Sequence, residues 1–243
     1  LFKQQIEQEK LKKEMELATE VQNMLIPDTL PKEKHFALSK IYMPHSNVGG
    51  DYLDYIKFSD NRFAFCIADI SGKGVAAALL MANFQALIQN LIYQYRDLET
   101  FVFALNQSVY RITKADNFIA EIDTELKTMR YINAGHYPPV MVNGGKLLRL
   151  DQGSTFIGAF EKLPYINESV IDLDGEAMIL SFTDGLAELQ DESGVYFDDE
   201  KIEKFVKEHQ QRSPDEFNEE LLNEIDRFRG GKEYSDDIAV LTC

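Results

Sequence analysis

Cysteine is nearly absent from this chain, with two in 243 residues, Cys66 and Cys243. So low a count gives neither a disulfide framework nor a thiolate metal cluster. A reducing, cytoplasmic setting is the expectation. Positive charge is scarce too. Lys and Arg number 25 against 41 Asp and Glu, a formal net charge of -16. A protein that neutralises nucleic-acid phosphates needs a basic surface, so nucleic acid is excluded as the expected partner. No apolar run approaches a membrane span, and no repeat or low-complexity tract interrupts the chain. Most of the acidic excess serves solubility. The remainder is compatible with a site that gathers carboxylates around divalent cations. What is present is 44% hydrophobic residue content, enough for one large domain, alone or with an appendage. The chain begins at Leu1 rather than Met and stops within an apparent strand, which reads as a fragment of a longer protein.

Residues 1–26 are rich in Lys, Glu and Gln and carry no Gly or Pro before Pro27, which predicts a helix. Leu11, Met15, Ala18 and Leu25 follow a heptad-like seam that Gln4, Gln8 and Gln22 interrupt. Either this helix packs on its own domain or it dimerises or relays a signal. The second is the expectation, because its first half has few apolar groups to bury. Strands are predicted over Phe36–Met43, Asp51–Phe58 and Asn61–Ile70, then near Thr128–Asn133, Pro139–Val142, Ser169–Leu173, Ala177–Phe182 and Ile238–Thr242. Between them, Leu80, Phe84, Leu87, Leu91 and Tyr95 mark one helix, and Phe101, Leu105, Val109 and Ile112 mark a second with Thr100 as its cap. Two more follow, the last opening on Ser213-Pro214 with Glu216 closing a capping box.

The stretch Cys66-Ile67-Ala68-Asp69-Ile70-Ser71-Gly72-Lys73-Gly74 runs from a buried strand through an acid and a glycine-spaced turn into a helix. Alone, Asp69 reads equally as a helix cap or as a ligand for a hard cation. Its company decides between them. Asp51, Asp184 and the pair Asp236-Asp237 also stand at strand ends beside Gly, Ser or another Asp. Carboxylates brought together repel unless cations lie between them. An all-oxygen shell selects Mg²⁺ or Mn²⁺ over Zn²⁺, and a pair of such ions suits phosphoryl hydrolysis.

Val48-Gly49-Gly50-Asp51-Tyr52, Ala68-Asp69-Ile70-Ser71-Gly72-Lys73-Gly74, Asn133-Ala134-Gly135-His136, Thr183-Asp184-Gly185 and Asp236-Asp237-Ile238 occur in this order. Together they resemble the metal-dependent type 2C protein phosphatases, in the bacterial branch of the stage II sporulation phosphatase and stress-response regulators. The resemblance covers about residue 36 to the end, and residues 1–26 are similar to the linker that couples this branch to an upstream sensor domain. It implies an α+β fold, an α-β-β-α sandwich of two antiparallel sheets. It implies two Mn²⁺ or Mg²⁺ ions, with Asp69 bridging, the Ile70 carbonyl beside it, Asp184 and Asp236 completing one ion, and Asp51 holding the other. Asp237 is a neighbour or alternate ligand. The implied reaction is hydrolysis of phosphoserine or phosphothreonine on a protein, without a covalent phosphoenzyme. The implied substrate is a phosphorylated antagonist of an anti-sigma factor, and residues 1–26 are where a homodimer is expected.

The segment Asp116–Glu121 looks shorter than the family's strand there, which predicts a clipped edge strand or missing residues. No arginine is placed to hold the substrate phosphate; Lys73 is a weak substitute, and His136 reads as a loop brace ahead of a general acid. Gly49-Gly50-Asp51 lacks the Glu-Phe continuation of cyclic-dinucleotide synthases, and Gly72-Lys73-Gly74 lacks the Ser or Thr of a P-loop. Two other functions compete with the phosphatase: a catalytically silent binding module regulated through its N-terminal helix, and a two-metal hydrolase of nucleotides or nucleic acid. The retained acids disfavour the first, and the acidic surface disfavours the second.

Overall fold

Alternation along one central strand sets the architecture. In β3 (Arg62–Ile70), Phe63, Phe65 and Ile67 face one side, and Ala64, Cys66, Ala68 and Ile70 the other. Both sides are buried, so the strand has a layer on each face. The computed structural model describes residues 2–243. In it β3 lies between β2 (Asp51–Lys57) and β4 (Ala115–Asp123), and β4 is followed across the sheet by β5 (Thr128–Ala134). β8 (Gly153–Ser154) and β9 (Ser169–Asp172) both pair with the far side of β5. The second sheet runs β1 (Ser39–Met43), β11 (Ile238–Thr242), β10 (Ala177–Phe182), β6 (Val140–Asn143), β7 (Lys146–Arg149).

Three apolar layers hold four structural ones. Leu53, Phe65, Phe118, Met141, Ile179 and Leu241 fill the space between the sheets. Met81, Phe84 and Ile88 of α2 (Gly74–Leu91) and Phe101, Val102 and Leu105 of α3 (Leu98–Val109) cover the first sheet. Ile202 and Val206 of α5 (Asp199–His209) and Phe217, Leu221 and Ile225 of α6 (Pro214–Arg229) cover the second. The fold is therefore the expected α-β-β-α sandwich, preceded by α1 (Phe2–Asn23). A four-residue α4 (Asp184–Ala187) follows β10.

Several expectations are corrected. β4 is neither clipped nor an edge: it has nine residues and pairs along its whole length with β3 and over Asn117–Asp123 with β5. Its polar residues Asp116, Asn117 and Glu121 disguise it, the last held by Arg62 and Arg130. The β5–β8 pairing is parallel, a two-residue exception in otherwise antiparallel sheets. Asp97, not Thr100, caps α3, because its side chain accepts from the Thr100 amide. Ile112 is exposed, since α3 ends at Val109 before its turn returns to the core. On α2 the fully buried line is Ala77, Met81, Phe84 and Ile88, with Leu80, Leu87 and Leu91 half-buried at its flank. By length and composition α2 is also apolar enough to cross a membrane; a helix packed against a sheet meets the same measure.

Candidate metal centre

Register aligns the acids. Asp51 on β2 lies opposite Asp69 on β3, and Asp69 lies opposite Asp116 on β4. Residues directly opposed across antiparallel strands share a face, with Cβ atoms roughly 4.5–5.5 Å apart. Counting by twos from Leu53, Ile67 and Phe118, that face is the one between the sheets. Three aspartates thus form a row at the sheet end where the sandwich opens. From the second sheet come Thr183 after β10, Asp184 at the start of α4, and Asp236-Asp237 before β11. Thr183 stitches the sheets together: its hydroxyl donates to Asp51 Oδ2 (2.7 Å) and accepts from the Ala239 amide (2.9 Å). At Gly50 a Cβ would stand 2.6 Å from the Ile70 carbonyl oxygen and 3.6 Å from Asp69 Oδ1. Only glycine lets the β2 backbone approach these oxygens so closely.

Like charges in this row disturb one another. Burial first, then Asp69, pushes the Asp51 carboxyl well above its ordinary range. Burial, then Asp116, then Asp184, lifts Asp69 to about 7. Asp184 is raised by burial, Glu188 and Asp116. Desolvation and neighbouring anions both disfavour the charged form, and a divalent cation reverses that sign. As the side chains lie, no three acid or imidazole groups among the described residues enclose one cation-sized point. They turn to other partners. Asp236 Oδ2 accepts from Lys73 Nζ (2.7 Å), and Asp237 accepts from the amides of His45 (2.7 Å) and Gly50 (2.9 Å). Asp51, Asp69, Asp184 and Asp236 are thus brought to one edge with the Ile70 carbonyl. Asp237 is occupied in holding the Gly49-Gly50 loop. Lys73, exposed, supplies a local counter-charge to Asp236. The oxygen-only donor set, mutually repelling and cradled by Gly50, fits hard divalent cations.

His136 is buried, its amide accepted by Asn133 Oδ1 (2.8 Å) and its Nδ1 paired with Asp116. Asp116 is the site residue that the sequence motifs pass over. The signal for it is the period-two count back from Phe118, Ala120 and Ile122, once β4 is read at full length. A second omission is the α1 contact: buried Gln22 donates to the Gly49 carbonyl (2.7 Å) and accepts from the Gly49 amide (3.0 Å). The residue that breaks the heptad seam thus grips the loop leading to Asp51.

A four-layer sandwich with a carboxylate edge and glycine-lined strand ends defines the PP2C class of fold. The model of the stage II sporulation protein E (SpoIIE) family matches residues 59–243, and the chain belongs to that family. It is 25% identical over 224 residues to phosphoserine phosphatase RsbU of Bacillus subtilis, an alignment covering 90% of this chain and 66% of RsbU. The SiaA PP2C domain of Pseudomonas aeruginosa has the same fold, with a TM-score of 0.86 at 20% identity and 97% of each chain covered. RsbX, solved in complex with magnesium, superposes with a TM-score of 0.68 at 18% identity, over 88% of this chain and 97% of RsbX. The chain spans two thirds or less of the length of the curated relatives it matches.

Proposed function

We propose that this chain is a protein serine/threonine phosphatase that needs two Mn²⁺ or Mg²⁺ ions. The carrying observation is the aligned row of Asp51 and Asp69, closed from the other sheet by Asp184 and Asp236. So many desolvated anions in one place are costly unless cations neutralise them. In this reading Asp69 would serve both ions, with the Ile70 carbonyl, Asp184 and Asp236 holding one of them and Asp51 the other. Bound there, the ions would act as Lewis acids and make a water nucleophilic near neutral pH. Water forms the new P–O bond as the seryl P–O bond breaks, and the leaving oxygen takes up a proton. Thr183 fixes Asp51, and the Gly49-Gly50 loop is held by Asp237 and Gln22.

RsbU is named as a phosphoserine phosphatase and RsbX binds magnesium, which supports both reaction and cofactor. The substrate class is a phosphorylated regulatory protein of the anti-sigma-antagonist type, as the resemblance of the motif set implies. Residues 36–243 form the catalytic domain. Residues 1–26, which include α1, are a regulatory segment that joins a sensor domain and pairs with a second copy. Ile6, Leu11, Leu17 and Val21 are exposed on it, and Gln22 ties it to the site. The silent-module reading is weaker, because no acid of the motif set is missing.

Phosphate release from a phosphoserine protein is the test, with Mn²⁺ titrated against the chain, Asp69→Asn and Asp184→Asn. Metal-dependent turnover that both substitutions abolish is expected. Metal binding without turnover on any phosphoprotein would favour the silent module.

A further inference from the structure

We propose that Asp116 is an additional cation-facing carboxylate of this centre, held in position by His136. The inference rests on the metal-dependent reading above and adds to it a pair that the strand-end motifs leave out. Register places Asp116 next to Asp69 on the same face. One of its oxygens, Oδ1, accepts both the Asp69 amide (3.2 Å) and the His136 ring. That leaves Oδ2 without a hydrogen-bond partner among the described residues and the side chain partly exposed. Asp116 also acts electrostatically on both Asp69 and Asp184. The carboxylate therefore lies among the acids assigned to the ions.

The histidine serves little else. Its side chain is 1% exposed, and Nε2 is sealed from solvent with no hydrogen-bond partner among the described residues. A buried imidazole with one ring nitrogen unmatched is costly. The backbone around it is built to hold it. The amide of His136 is anchored on Asn133, and Asn133 Nδ2 is in turn fixed to the Leu150 carbonyl (2.9 Å). Gly135 has φ +78°, and a Cβ there would stand 2.8 Å from the Phe156 amide nitrogen. With Asp116 as acceptor, Nδ1 carries the proton, so the ring orients the carboxylate as outer-shell partners orient metal ligands. His136 is a positioning residue in this scheme.

Mn²⁺ binding to the whole chain, followed by the electron paramagnetic resonance of free Mn²⁺, tests this without any turnover. Asp116→Asn and His136→Leu are each expected to weaken Mn²⁺ binding by about 10-fold or more, as losses of ligands and outer-shell partners do. His136→Asn, whose amide can donate from near the Nδ1 position, should restore most of the affinity. The double variant Asp116→Asn/His136→Leu should be no worse than Asp116→Asn, since both act through one carboxylate. Unchanged affinity in Asp116→Asn, while Asp69→Asn loses binding, would overturn the inference and leave the metal-dependent reading standing. Absence of Mn²⁺ binding by the parent chain would overturn both. Should His136→Leu fold poorly, Asp116→Asn decides alone, because it removes only charge from a partly exposed side chain.

Discussion

At the scale of single residues, the site is a set of destabilising choices. Asp69 has its carboxyl raised from 3.8 to about 7 by burial and by Asp116 and Asp184. For an acid raised in this way, the folded protein binds more protons than the unfolded chain between those two values. Its contribution to stability therefore falls as pH rises from about 4 to about 7. The cost is absent below that window and complete above it. Without metal, Asp69→Asn is expected to raise the melting temperature at pH 8 and to change it little at pH 4. Thermal denaturation in chelator at the two pH values checks this. A destabilised Asp69→Asn at pH 8 would mean that the carboxylate is held by favourable contacts. The same substitution should abolish Mn²⁺-dependent turnover, the trade between stability and function seen at strained sites.

Among elements, two helix ends carry distinct kinds of information. The start of α6 is local: Ser213 accepts from the Glu216 amide, Glu216 reaches back to the Ser213 amide (3.0 Å), and Pro214 occupies the first turn. Ser213→Ala should cost about 1 kcal/mol, read as a shift in the denaturation midpoint with no change in metal affinity. The end of α1 is not local. Gln22 exchanges two hydrogen bonds with Gly49, and Thr19 donates to the Asn47 carbonyl (2.8 Å). Gln22→Ala would orphan a buried amide and a buried carbonyl, at about 1–3 kcal/mol. Because the released loop leads to Asp51, turnover should change together with stability, and Ser213→Ala is the matched control. Equal turnover in the parent and in Gln22→Ala would uncouple α1 from the site.

For the whole molecule, the two sheets meet at their most charged edge. Their apolar interior of Phe63, Phe65, Phe118, Met141 and Leu241 holds the sheets together against the repulsion at that edge. A ligand that binds only the folded state adds stability, about 2.7 kcal/mol per site at a hundred times its dissociation constant. Mn²⁺ should therefore raise the melting temperature, and by more at pH 8 than at pH 5, where protons already relieve part of the repulsion. A metal-independent melting temperature at both pH values would argue against any cation among these acids.

Much of this was legible before the fold was known. Alternation in β3, the helical period of α3 and α6, the Ser213 capping box and the glycine-flanked acids are local patterns. Backbone geometry converts such patterns into structure within a few residues. They located most of the strands and helices and singled out the strand-end acids Asp51, Asp69, Asp184 and Asp236, while the sandwich class came with the family resemblance that the five motifs carry together. Other features depended on contacts between segments far apart in the chain. Asp116 joins the row only through the β3–β4 register, and its partner His136 lies on the loop after the next strand. Asp237 is taken up by the amides of His45 and Gly50, and Gln22, a flaw in a heptad, becomes a clamp on Gly49. Parity along a strand is written in its own residues. Which residue stands opposite, and which distant amide a carboxylate meets, is settled only when the sheets close, because those partners share no local geometry.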